Sequence, residues 1–149
     1  MRIIKFRGKY YHGEWLYGYL QKFSKRFNSR LCVCATSVTS WKDALMYQVL
    51  EETVGQFTGL RTKATPLNPE QKDIYEDDIL RVPQTVFHIE YIGRVVFENG
   101  RFLVRSLFSG TKWDLLNAIE DGAEIIGNAH DNPELLEKYM TIEIKQSER

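Results

Sequence analysis

The dipeptide Asn99-Gly100, set between VVFE and RFLV, constrains this chain more than any other local feature. A type I′ two-residue hairpin connection, whose twist matches that of its strands, requires positive φ at both residues, and asparagine and glycine tolerate it at least cost. The flanking residues are β-branched and aromatic, so two antiparallel strands in one register are predicted here. An isolated hairpin is marginal in water, and further strands must cover it. The chain supplies them: IYEDDILRV, HIEYIGRVVF, RFLVRSLF and AEIIGNAH are short runs bounded by turn signals such as Ser109-Gly110. Four or five short antiparallel strands are too few for a sandwich and point to a small SH3-like barrel over residues 74–149.

A short helix is expected to close that barrel. In GNAHDNPELLEKYM, Asn132 can cap, Pro133 suits the first helical position, and Glu134 lies beside the positive pole of the helix dipole. Leu135, Leu136 and Tyr139 would pack it, leaving TIEIKQSER as an edge strand or a frayed tail. The N-terminal part, IIKFRGKYYHGEWLYGYLQKF, is aromatic, β-branched and broken by Gly8, Gly13 and Gly18. It favours a meander with Tyr11, Gly13, Trp15, Tyr17 and Tyr19 on one parity, although alternation alone leaves its register open. A polar, basic loop containing Ser24 to Ser29 precedes strand-like RLCVCATSVTS. The segment SWKDALMYQVLEETVG suits both helix and strand. RTKATPLNPEQKD, with Pro66 and Pro69, has no hydrophobic period and reads as a loop where the chain divides. The expected fold is thus mainly β with minor α: a β-rich basic and aromatic region over 1–60, a loop over 61–73, and the barrel over 74–149.

With 149 residues and 43% hydrophobic content, the chain can bury an ordinary core in one domain or two very small ones. Its apolar runs fall far short of the roughly 20 residues that span a bilayer, and Lys5 interrupts any signal-peptide core, so a protein that stays in the cytosol that makes it is expected. Cys32 and Cys34 are two apart, which on a strand places both side chains on one face and makes a mutual disulfide awkward; reduced thiols are expected. The formal net charge is zero, yet residues 1–50 hold nine Lys or Arg against Glu14 and Asp43, a balance of +7 that the remaining 99 residues cancel. Such polarity serves either an anionic ligand or the pairing of one section with the other, within a chain or between copies.

The ordered motifs TVGQFTGL (53–60), DIYEDDIL (73–80) and IIGNAHDNPELLEK (125–138), with a Gly-x-Val-x-Phe strand at Gly93 to Phe97, resemble the YopX family. The opening IIKFRGK and the downstream WLYGYL resemble that family's start. The resemblance implies an SH3-like barrel, an origin in a phage, prophage or other mobile element, and no established biochemical activity. Two departures stand out. Asp77 occupies the position after Tyr-Glu where the pattern usually has Gly, a change that Asp's tolerance of left-handed turns accommodates. The loop between Gly59 and Asp73 is also longer than the pattern. The shared motifs read as folding signals, with Gly55 and Gly59 framing a turn over Phe57 and Leu60, and Ile74, Ile79 and Leu80 flanking a tight acidic bend.

Candidate chemistry is sparse. Glu76, Asp77 and Asp78 offer hard-cation ligands, but adjacent carboxylates on a strand diverge, which favours a solvated turn. His130-Asp131 suggests a general base, yet no motif places a nucleophile beside it, and polar residues are what a helix start needs. His12 and His88 make no zinc spacing with the cysteines. No catalytic residue, metal or cofactor is expected. The constellation of most interest is basic and aromatic: Arg2, Lys5, Arg7, Lys9, Tyr10, Tyr11 and Trp15, with Phe6 and Tyr17, followed by Lys22, Lys25, Arg26 and Arg30. Cations for phosphates and rings for bases suit single-stranded nucleic acid. The competing reading makes the rings a sheet core and the cations its wet face. The balance favours a non-enzymatic interaction protein with a protein partner and the capacity to form homo-oligomers, the alternative being a nucleic-acid-binding accessory factor.

Overall fold

The computed structural model describes residues 1–139, so the edge strand or tail expected in TIEIKQSER lies outside the described residues. The chain is mainly β, with 48% strand and 14% helix in two antiparallel sheets. It divides into two compact units at Gly59 and Leu60.

The first unit contains β1 (Phe6–Tyr10), β2 (Trp15–Lys25), β3 (Asn28–Cys34), α1 (Trp41–Met46) and β4 (Val49–Arg61). Its strands are ordered β3-β2-β1-β4, and β4 carries the chain across the division. Arg7 pairs with Tyr17 and Lys9 with Trp15, which resolves the register that alternation left open. Arg7, Lys9, Trp15 and Tyr17 therefore share one face, and Phe6, Gly8 and Leu16 the other. Gly18 is required where β2 meets the end of β3, because a Cβ there would lie 2.2 Å from the Cys34 carbonyl oxygen.

Three local expectations need correction. The loop expected over Ser24 to Ser29 is a continuous hairpin: Lys25 pairs with Asn28, leaving only Arg26 and Phe27 as the turn. Main-chain pairing satisfies that ladder whatever the polarity of its solvated side chains. The ambiguous segment resolves into both alternatives in succession, α1 capped by Ser40 Oγ accepting the Asp43 N–H at 3.0 Å, then β4. Gly55 and Gly59 do not frame a turn. Gly55 pairs with Arg7, and the Phe57 N–H donates to the Lys5 carbonyl at 2.9 Å, so the ladder holds GQFTGL extended.

The core of this unit is small: Cys32, Cys34, Val38 and Ala44, with Phe23 and Tyr47 against them. The cysteines share a face, as strand alternation requires, and are free thiols. The Cys32 thiol donates to Ala44 O at 3.3 Å and the Cys34 thiol to Thr36 O at 2.7 Å.

The second unit contains β5 (Asp73–Tyr75), β6 (Asp78–Val82), β7 (Tyr91–Glu98), β8 (Arg101–Ser106), β9 (Lys112–Asp114), α2 (Leu115–Glu120), β10 (Glu124–Asn128) and a helix over 133–139, α3. The hairpin predicted at Asn99-Gly100 is present, with φ of 50° and 79° and Glu98 opposite Arg101. The sheet order is β10-β6-β7-β8-β9. It is an open sheet: β9 and β10 stand at opposite edges, and the expected SH3-like barrel does not close among the described residues.

A helix closes the core instead. Leu115, Ala118 and Ile119 of α2 pack with Ile74, Leu80, Val82, Val95 and Val104. Asp114 caps α2 by accepting the N–H groups of Leu116 and Asn117. The helix of the C-terminal region begins at Pro133, with Leu135, Leu136 and Tyr139 half-buried. The Asn132 side chain does not cap it, accepting the Asn128 N–H at 3.1 Å instead. Among the described residues no helix is long and apolar enough to cross a membrane.

Candidate functional site

The first unit divides the basic and aromatic residues into three groups rather than one continuous surface. Arg2 is exposed ahead of β1. Lys5 lies over the Phe57 ring at 4.5 Å, Arg7 over Trp15 at 4.7 Å, and Lys9 at 6.0 Å from the same indole. Arg7 is only 7% exposed, so its guanidinium is committed to the interior of the unit. Tyr10 sits on the opposite face of β1, beside Tyr11 near the β1–β2 turn, and its hydrogen bond with Tyr11 holds its pKa above the ordinary value.

The third group gathers at the β2–β3 hairpin. Lys25 and Arg26 lie at its tip, while Lys22, opposite Leu31, falls on the other parity of β2. Arg30 stacks on Trp41 of α1 at 4.0 Å. Trp41 and Phe27, which sequence reasoning did not select, complete this group: Phe27 is fully exposed, and both line a cleft of about 410 Å³ with Lys25, Arg26 and Asn28. The available signal was an aromatic residue inside the polar run SKRFNSR.

In the second unit the acidic cluster is a turn, though not the solvated turn expected of it. Asp77 takes φ of 69°, as the glycine it stands for would. Its Oδ1 accepts from Arg94 Nε at 2.9 Å and pairs with Nη2 at 2.7 Å, while its Oδ2 meets His130 Nε2 at 2.9 Å. Asp78 is 2% exposed and accepts the Tyr75 N–H at 2.8 Å. The cluster thus ties the β5–β6 turn to β7 and to the segment after β10. Among the described residues, no three His, Cys, Asp or Glu are grouped to hold a metal ion.

His130 pairs with Asp77, 53 residues away, rather than with Asp131, whose Oδ2 accepts from Asn128. His12 lies against the Tyr11 ring. His88 has both ring nitrogens against acceptors, Nδ1 at 2.9 Å from Ile89 O and Nε2 at 2.9 Å from Asp121 Oδ2. A carbonyl and a carboxylate only accept, so this geometry favours the imidazolium and raises the His88 pKa, Asp121 contributing most. Burial pushes both cysteine thiols up, leaving them poor nucleophiles at neutral pH.

The family model described as YopX protein matches residues 5–137, which takes in both units. The chain belongs to the YopX family. The crystal structure of protein EF1440 from Enterococcus faecalis is similar at 24% identity, covering 91% of this chain and 99% of that chain with a TM-score of 0.49. No curated protein matches the chain. In this YopX family member, DIYEDDIL forms β5, its turn and β6, and Gly93 to Phe97 lies in β7. IIGNAHDNPELLEK forms the end of β10 and the start of α3. The motifs that carry the family resemblance in the second unit are turns, core strands and a helix start.

Proposed function

We propose that this YopX family protein is a non-enzymatic protein-interaction module, encoded by a phage or prophage and acting in the bacterial cytosol. The observation that carries this reading is the β6–β7 loop. There, Val86 is 92% exposed, Phe87 88% and Ile89 78%. These side chains are displayed by an ordered turn: the Thr85 N–H donates to His88 O at 2.9 Å and the Phe87 N–H to Thr85 Oγ1 at 3.1 Å. His88, against Asp121, Tyr91 and Trp113, roots its base. Adjacent apolar side chains on a preorganised turn lose little freedom on docking and gain the burial that anchors an interface. A second copy of the chain is one partner this reading admits. The absence of a catalytic role is supported by the buried thiols and by the engagement of His130 with a structural carboxylate.

The test is a pull-down from nuclease-treated bacterial lysate with the wild-type chain and a Val86→Ser/Phe87→Ser variant. Proteins held by the wild type and released by the equally folded variant are expected. The same proteins held by both would discard the loop as the anchor.

A second reading, a nucleic-acid-binding accessory factor, is favoured by one observation on the first unit. Met1–Gly59 holds nine basic side chains against Glu14, Asp43, Glu51 and Glu52. A surplus of basic side chains attracts phosphates, with an affinity that falls steeply with salt.

A further inference from the structure

We infer that the tip of the β2–β3 hairpin is a site for an unpaired base of single-stranded nucleic acid, held between Phe27 and Trp41 with its phosphates on Lys25 and Arg26. The inference rests on the nucleic-acid reading of the first unit and narrows it to one cleft. That cleft, about 410 Å³, is lined by two aromatic rings, two cations and the Asn28 amide. Residues 21–42 contribute five Lys or Arg and no carboxylate, although Asp43 follows on α1 and Glu51 and Glu52 lie beside Lys22 and Ser29 farther along the hairpin. Among the described residues no carboxylate pairs with the side chain of Lys25 or Arg26.

The rings are placed at a cost that folding alone does not repay. Phe27 buries none of its side chain, and Arg26 beside it takes φ of 52°, a conformation that residues with a Cβ rarely adopt. A two-residue turn with positive φ at its first position ordinarily has Gly there. The Arg30 guanidinium stacks on Trp41 at 4.0 Å, which fixes the indole that lines the cleft.

The ligand follows from the chemistry. Aromatic faces stack on any base that has left its own stack, cations neutralise the flanking phosphates, and an amide offers both donor and acceptor to a base edge. A duplex keeps its bases stacked and would meet only the cations. The Arg7, Lys9 and Trp15 group does not serve, since its guanidinium is already buried against the indole.

The experiment is fluorescence anisotropy of a labelled oligothymidylate and of a hairpin duplex of equal length, at low and moderate salt. The variants are Phe27→Ala, Arg26→Gly and, as a control, Arg2→Ala. The wild type is expected to prefer the single strand. Phe27→Ala should weaken that binding roughly 5- to 100-fold, the loss of one stacked base. Arg26→Gly should lower the salt slope by about one unit. Because Phe27 is fully exposed, its loss leaves the fold intact, which an unchanged melting temperature would verify. Wild-type protein that retains neither probe removes the nucleic-acid reading and the site together. Binding undiminished by Phe27→Ala removes the site alone, and equal affinity for the duplex removes the unpaired base.

Discussion

In the second unit cations meet carboxylates: Arg61 with Asp73, Arg81 with Glu124, Arg94 with Asp77 and Lys112 with Glu98, at 2.6 to 2.7 Å. In the first unit Lys5, Arg7 and Arg30 lie over the rings of Phe57, Trp15 and Trp41, at 4.0 to 4.7 Å. The difference matters because a carboxylate cancels a cation's charge, whereas a ring only attracts it. Pairs in the second unit join strands, and the first unit, with nine basic side chains against four carboxylates, keeps a net positive charge. The cores differ in the same sense. Nine buried residues form the cluster of the second unit and four that of the first, so packing dominates one and surface chemistry the other.

The strongest way to break this comparison is to damage the larger core. Leu80 is fully buried, and Leu80→Ala should cost about 2–5 kcal/mol. Chemical denaturation followed at Trp113, which lies in the second unit, should show that loss, while Trp15 and Trp41 report the first unit. If all three indoles shift together, the two units unfold as one, and the contrast in core size has no thermodynamic meaning.

A smaller effect is expected at Asp77. Asp77→Gly keeps the left-handed turn but removes the carboxylate between Arg94 and His130, and should cost about 1–3 kcal/mol by denaturant titration. Asp77→Ala should cost more than Asp77→Gly, because alanine must also hold φ near 69°. The reverse order would mean that the left-handed backbone carries no weight at this turn.

The smallest effect concerns pH. The His88 pKa is raised in the fold by Asp121 and the Ile89 carbonyl, so protonation stabilises the folded state. That contribution is fully present below the unfolded value of about 6.5 and is lost as pH rises through the higher folded value. The melting temperature of wild type should exceed that of His88→Gln most clearly at pH 5.5, with the gap narrowing by pH 9. A gap independent of pH would show that the ring contributes packing only.

Local signals were read well where few residues decide the outcome. Asn99-Gly100 specifies its turn by backbone preference, and Pro133 starts a helix because its missing N–H is not needed there. Misreadings arose where neighbours overrule composition. Gly55 looks like a turn residue but sits in a ladder with Arg7, and Ser24 to Ser29 look like a loop but pair across a hairpin. The helix α2 escaped notice because six residues are too few to establish a period, although Asp114 marked its start.

The candidate site divides in the same way. The abundance of cations and rings near the N-terminus was plain, but which of them share a surface was not. Phe27 and Trp41 are 14 positions apart and line one cleft only because β2 and β3 pair to their ends and α1 packs against them.

The sequence by itself determined the β-rich class, the Asn99-Gly100 hairpin, the shared face of Cys32 and Cys34, and the uneven distribution of charge. Each follows from backbone preference, strand alternation or counting, and none requires a distant partner. Only the tertiary structure decided that the second sheet stays open under α2, that His130 answers to Asp77, and that Arg7 is buried while Lys25 and Arg26 are not. Those outcomes depend on contacts between residues far apart in the chain, where loop closure and packing, not local propensity, select among the arrangements that the sequence leaves open.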